Sequence, residues 1–162
     1  MSTTTEPLYY TEWIDGRAIE KPLPKKLHAL IQRFLILALS RDLRAPYIAL
    51  PELNVLCGED RLVPDVTVTV TDSRYIDGDL AEPPLLGIEI LSPGQALSDL
   101  LDKCERLLKH GTPRCWIIWP ERRQAWMYTT GEFVEAHEKL STMLDVDASV
   151  EVPLADMWAS LD

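Results

Sequence analysis

Apolar residues along this chain follow two spacings, and the changes from one to the other mark its elements. Between residues 26 and 43, Leu27, Leu30, Ile31, Phe34, Leu35, Ala38 and Leu39 recur at threes and fours. That is the spacing of one helix face. Ile36 and Leu37 widen the stripe, so this helix is expected to be covered on more than one side. Residues 62–70 alternate instead, with Val66, Val68 and Val70 on one face and Asp65, Thr67 and Thr69 on the other, as a strand requires. Residues 85–91 are apolar almost throughout, which predicts a central strand covered on both faces. Residues 98–110 return to helical spacing through Leu100, Leu101, Cys104, Leu107 and Leu108. Ser98 is placed to cap that helix, Asp99 suits its first turn, and Gly111 followed by Pro113 stops it. Residues 114–119 form another apolar strand.

Shorter signals fill the rest. Residues 1–8 read as a polar tail. Residues 9–20 read as a hairpin turning at Asp15-Gly16. Residues 47–50 and 53–56 are strand candidates that Pro51-Glu52 separates, consistent with one bent strand, and residues 57–60 make a turn. Residues 71–84 are polar, carry Asp77-Gly78 and Pro83-Pro84, and are expected to be a loop or flap. Residues 124–128 and 133–136 continue as an antiparallel meander. An acidic loop is expected from Leu144 to Val150, and Pro153 suits the first position of a last helix over 154–158. The crossover between Leu91 and Arg114 holds one helix, long enough for two parallel strands. The order predicts an α/β fold, a mixed sheet flanked by helices with extra antiparallel strands.

The length of 162 residues fits a single domain over 1–162. The formal charge of -10 opposes indiscriminate DNA binding, which depends on phosphate neutralisation. It leaves room for a site made electropositive by a bound metal. Cys57, Cys104 and Cys115 are odd in number and widely spaced, so neither a disulfide framework nor a zinc site is expected, and a reducing cytoplasm fits. No secretory signal is expected at the N-terminus, and the apolar run at residues 34–39 is too short to span a membrane.

Within these elements two carboxylates stand out. Glu89 lies inside the apolar run, where a carboxylate costs several kcal/mol unless paired or metal-bound. Asp65 follows Pro64 at the head of the valine-rich strand. Two carboxylates in one cleft repel, and a divalent cation relieves the repulsion. Mg²⁺ takes oxygen ligands, Mn²⁺ being a possible substitute, and the Ile90 carbonyl is a further candidate ligand. Lys103, in the second helix, is placed to stabilise negative charge on a phosphate.

These residues carry a resemblance. Val63-Pro64-Asp65-Val66, the run Pro84-Leu85-Leu86-Gly87-Ile88-Glu89-Ile90-Leu91-Ser92-Pro93, then Asp99, Lys103, Gly111 and Trp116-Ile117-Ile118 resemble a large bacterial family of putative restriction endonucleases. That family is abundant in cyanobacteria, was long known as a domain of unknown function, and belongs to the PD-(D/E)XK nuclease superfamily. Asp15-Gly16 and the helix near His28 also resemble it. The resemblance implies a restriction-endonuclease-like core and a metal-dependent endonuclease that cleaves DNA phosphodiester bonds with metal-activated water. It implies Asp65 and Glu89 as motif carboxylates, and a homodimer. The superfamily's usual lysine would fall at Leu91, so Lys103 resembles a lysine relocated to the next helix. Trp119 stands before Pro120 where family members often have aspartate. Glu20, Glu52 and Gln95 are secondary candidates.

Other residues have plainer readings. His28 reads as capping or structural, His110 as a helix-end residue and His137 as surface. Arg33, Arg41 and Arg44 fit a solvated helix face better than a cleft. Trp116, Trp119 and Trp126 fit core or dimer packing better than base stacking. The acidic charge and Leu91 also allow a rival, a non-catalytic binding or oligomerisation protein on the same scaffold.

Overall fold

A computed structural model describes residues 11–162; the expected tail and the first two residues of the expected hairpin lie outside them. Along the chain run β1 (Thr11–Ile14), β2 (Arg17–Glu20), α1 (Lys26–Asp42), β3 (Tyr47–Pro51), β4 (Val55–Cys57), β5 (Asp60–Leu62), β6 (Val66–Val70), β7 (Tyr75–Ile76) and β8 (Asp79–Leu80). Then come β9 (Leu86–Ile90), α2 (Leu97–His110), β10 (Cys115–Trp119), β11 (Gln124–Thr129), β12 (Glu132–Ala136), β13 (Lys139–Asp145), β14 (Ala148–Pro153) and α3 (Leu154–Ala159).

A large mixed sheet has the order β12-β11-β10-β9-β6-β3, and a smaller one β2-β1-β5-β4-β8-β7. β9 and β10 are parallel, joined through α2, while the other neighbours in the large sheet are antiparallel. β9 is central and buried along its whole length, as its unbroken apolar run requires. One core cluster packs α1 through Ile31, Leu35 and Leu39 on the large sheet, with the β13–β14 hairpin and α3 closing it. A second cluster joins α2, through Leu100, Cys104 and Leu107, to Cys115 and Ile117 of the large sheet and to Val55, Leu62 and Leu80 of the small one.

The structure revises several sequence expectations. Residues 62–70 are not one strand. β5 ends in the small sheet at Leu62, the chain crosses over Val63-Pro64-Asp65, and β6 starts in the large sheet. Likewise β3 and β4 are separate strands in different sheets, and Glu52 between them adopts a φ of 51°. The expected flap is built into the small sheet. Asp77 and Gly78, both at positive φ, turn β7 into β8, which pairs with β4 and buries Leu80. α1 is covered on one side only, since Leu37 is exposed. α2 starts at Leu97 with Ala96 in the capping position, so Ser98 is already inside the first turn and caps nothing. The expected acidic loop is a tight turn between β13 and β14.

Candidate active site at the end of the large sheet

The site forms where β6 begins and β9 ends. Val66 pairs with Ile88 across these antiparallel strands, and both side chains enter the α1 cluster. Side chains alternate along a strand. The next residues outward, Asp65 and Glu89, therefore take the other face and come level with each other. Each is 1% exposed. On that face Gly87 lets α2 sit close, for a Cβ there would lie 2.9 Å from Leu107 Cδ1.

α2 thereby delivers Lys103. Its Nζ lies 3.0 Å from Glu89 Oε1 and 3.0 Å from Glu12 Oε2. Glu12, on β1, also accepts the Val63 N–H at 2.8 Å. The Lys103 contacts are ionic rather than aligned hydrogen bonds. Lys103 Nζ and Glu89 Oε1 are both buried without a hydrogen-bond partner.

Asp65 is held differently. Its Oδ1 accepts Lys21 Nζ at 2.9 Å and lies 3.1 Å from His28 Nε2, while its Oδ2 accepts the Ile90 N–H at 2.7 Å. Lys21 also donates to the Val63 carbonyl at 2.7 Å and to Glu52 Oε2 at 3.0 Å. Gln32 of α1 donates to Glu52 Oε1 at 3.1 Å and to the Asp65 carbonyl at 2.8 Å.

These surroundings split the two carboxylates. Burial is the largest influence on Glu89 and pushes its pKa up to about 8; Asp65 and Glu12 add to the rise, and Lys103 and Lys21 oppose it. Burial acts the same way on Asp65, but Lys21, His28 and Lys103 outweigh it and hold that carboxyl well below the usual range. For both lysines burial works against the charge, and the neighbouring carboxylates outweigh it, raising both pKa values.

Glu12, Lys21 and Lys103 also line a cavity of about 400 Å³ with Glu20, Gln95, Asp99 and Asp102. The structure thus brings Asp65, Glu89 and Lys103 to one end of the sheet as two neighbouring ion-paired groups, Lys103 with Glu89 and Glu12, and Lys21 with Asp65 and Glu52. Glu20 stays exposed on the cavity wall. Gln95 folds back to accept the Ser92 N–H at 3.1 Å. Ile90 meets the site through its N–H, which donates to Asp65 Oδ2. Leu91 is buried in the α2 cluster, and Trp119 packs beside that cluster under the Arg122 guanidinium, 4.2 Å from its ring centroid. Glu12, Lys21 and Gln32 escaped sequence reasoning. The available signal for Glu12 was its place on the same face of β1 as apolar Ile14.

Among the described residues, no group of three His, Cys, Asp or Glu side chains is arranged to hold a metal. Mg²⁺ does not require one, since it is commonly held by one or two carboxylates and several waters. The hydrogen-bond-free Glu89 Oε1 beside Asp65 fits such a site.

Comparison with known proteins places the chain in a family. The Uma2 family model, described as "Putative restriction endonuclease", matches residues 3–158. The chain belongs to the Uma2 family. No curated protein sequence matches this Uma2 chain. Its fold is similar to the crystal structure of a "putative nuclease belonging to DUF820" from Anabaena variabilis ATCC 29413. The TM-score is 0.75 at 26% identity, over 93% of this chain and 90% of that one. The α/β fold with helices flanking a mixed sheet is therefore that of a nuclease family. Among the described residues no helix is long and apolar enough to cross a membrane.

Proposed function

We propose that this chain is a Mg²⁺-dependent endonuclease hydrolysing phosphodiester bonds in DNA. The observation that supports it most is the placing of two buried carboxylates, Asp65 and Glu89, level on one sheet face, with the Lys103 ammonium 3.0 Å from Glu89. Fully ionised, Glu12, Glu52, Asp65 and Glu89 face the two ammoniums of Lys21 and Lys103. Leaving His28 aside, the excess equals the charge of one divalent cation. Asp65 and Glu89 would hold that cation, with Mn²⁺ as a substitute. When bound, it supplies Lewis-acid activation of water and phosphate. Lys103 would steady negative charge on the phosphate, and Glu12 keeps that ammonium beside Glu89. Cutting both strands of a duplex calls for two such sites, and a homodimer is the proposed assembly. Three free, buried cysteines fit a cytoplasmic setting.

A second reading is a non-catalytic binding or oligomerisation protein on this fold. The near-complete burial of Asp65 and Glu89 and the charge of -10 favour it.

Purified wild type and Glu89→Gln, each with single-stranded, duplex, supercoiled and branched DNA in Mg²⁺, Mn²⁺ or EDTA, separate the two. The nuclease reading expects cleavage that EDTA abolishes and that Glu89→Gln slows roughly a hundredfold or more. Undiminished cleavage by folded Glu89→Gln removes Glu89 from the site. No cleavage of any of these DNAs, together with no DNA binding, favours the second reading.

A further inference from the structure

We propose that Lys21 is the internal counter-ion of the metal-free site, and that its ammonium competes with a divalent cation for the charge of Asp65. This rests on the metal-dependent reading above.

Lys21 lies just past β2, next to Pro22, and is 8% exposed. Burying an ammonium costs several kcal/mol unless it is fully paired. Here each of its three N–H groups has an oxygen: Val63 O at 2.7 Å, Asp65 Oδ1 at 2.9 Å and Glu52 Oε2 at 3.0 Å. Such complete matching is a built feature, unlike the ordinary surface contact of Lys139 with Glu151. One of the three oxygens belongs to a carboxylate assigned to the metal. A carboxylate offers about four lone-pair positions. Lys21 and His28 crowd Oδ1, and the Ile90 N–H takes one position on Oδ2. A cation joining Asp65 therefore meets a positive charge already bonded to the same group, in a site shielded from water where repulsion is strong. Lys21 lines the 400 Å³ cavity, which gives a flexible side chain room to withdraw. The consequence is a site in which the Asp65 charge stays paired without metal, and whose metal affinity Lys21 sets below what the carboxylates alone would give.

Calorimetric titration of Mn²⁺ tests this on wild type, Lys21→Met, Lys21→Met with Glu89→Gln, and Lys139→Met as control. Lys21→Met is expected to bind roughly ten- to hundredfold more tightly, the added Glu89→Gln to abolish the gain, and Lys139→Met to match wild type. Equal or weaker binding by folded Lys21→Met, while wild type binds, overturns the competition and leaves the metal site standing. No Mn²⁺ binding by any variant overturns both. Because Lys21→Met can fail to fold, circular dichroism runs alongside, and folding that appears only with Mn²⁺ supports the proposal. Nitrogen-15 lysine spectra of wild type give an answer that needs no variant. The protected Lys21 ammonium signal should disappear on saturation with Mg²⁺, and its persistence at saturation contradicts displacement.

Discussion

Lys21 and Lys103 each bring a buried ammonium to one of the two carboxylates, Lys21 to Asp65 and Lys103 to Glu89, from different parts of the chain. Lys21 makes three hydrogen bonds, at 2.7, 2.9 and 3.0 Å. Lys103 has two carboxylate oxygens at 3.0 Å and no aligned hydrogen bond. Their partners differ accordingly. Asp65 gathers an ammonium, an imidazole and a backbone amide, and its acidity rises. Glu89 has only the loosely aligned Lys103, and burial dominates. Depth does not separate them, since both are 1% exposed. The number of hydrogen bonds donated to the charged form does. The Asp65 charge is met as it stands, while burial holds Glu89 toward its protonated form until a cation can meet its charge.

The largest effect should come from breaking the Asp65 pairing. Asp65→Ala takes one of two carboxylates from the buried Lys21 ammonium and leaves the Ile90 N–H unpaired, and should cost about 3–5 kcal/mol, read from urea unfolding midpoints. An Asp65→Ala cost below that of Lys103→Met would reverse the comparison.

Glu89 sharpens it through pH. Its carboxyl holds a proton more tightly folded than unfolded, with a pKa of about 8 against an ordinary value of 4.5. Metal-free stability from this group is therefore full below about pH 4.5 and lost as pH rises toward 8. Glu89→Gln should lie close to wild type near pH 5 and exceed it at pH 8 by on the order of 4 kcal/mol, measured by thermal unfolding at each pH. Asp65 has the opposite sign. Its stabilisation is present above the ordinary carboxylate range and fades on acidification.

Lys103→Met should cost less than Asp65→Ala, about 1–3 kcal/mol, because Glu89 can take up a proton in answer. That cost should be smaller at pH 6 than at pH 8. Gly87→Ala presses only on Leu107 Cδ1, the end of a flexible side chain. It should cost about 1 kcal/mol yet slow cleavage more than tenfold, since it shifts the helix carrying Lys103. Smallest is Arg106→Ala. Arg106 clamps Asp102 of α2 to Asp15 in the β1–β2 turn and to Asp60 at the start of β5. Asp15 and Asp102 are exposed and Arg106 itself half-buried, so the loss should be about 1 kcal/mol.

Much of this was legible in the chain. The apolar run with Glu89 inside it announced a central strand and a carboxylate needing a partner. Asp15-Gly16 announced its hairpin, and both residues indeed take positive φ. The helical spacing of Leu100, Cys104 and Leu107 placed Lys103 beside the buried stripe. What escaped depends on contacts distant in sequence. Lys21 reads as a surface lysine before a proline, and only the crossing at Val63-Pro64-Asp65 makes it a buried counter-ion. The division into two sheets escaped for a similar reason, since residues 62–70 have continuous strand character and nothing local marks the change of partner. Asp77-Gly78 did carry a turn signal, but strands of two residues leave no alternation to read.

The most direct test of the account follows the Glu89 carboxyl itself, by infrared difference spectroscopy at pH 7 of wild type minus Glu89→Gln, with and without Mg²⁺. The account predicts a protonated-carboxyl band in the metal-free protein that Mg²⁺ converts to carboxylate. A Glu89 already ionised without metal, or a protonated band untouched by saturating Mg²⁺, would contradict it.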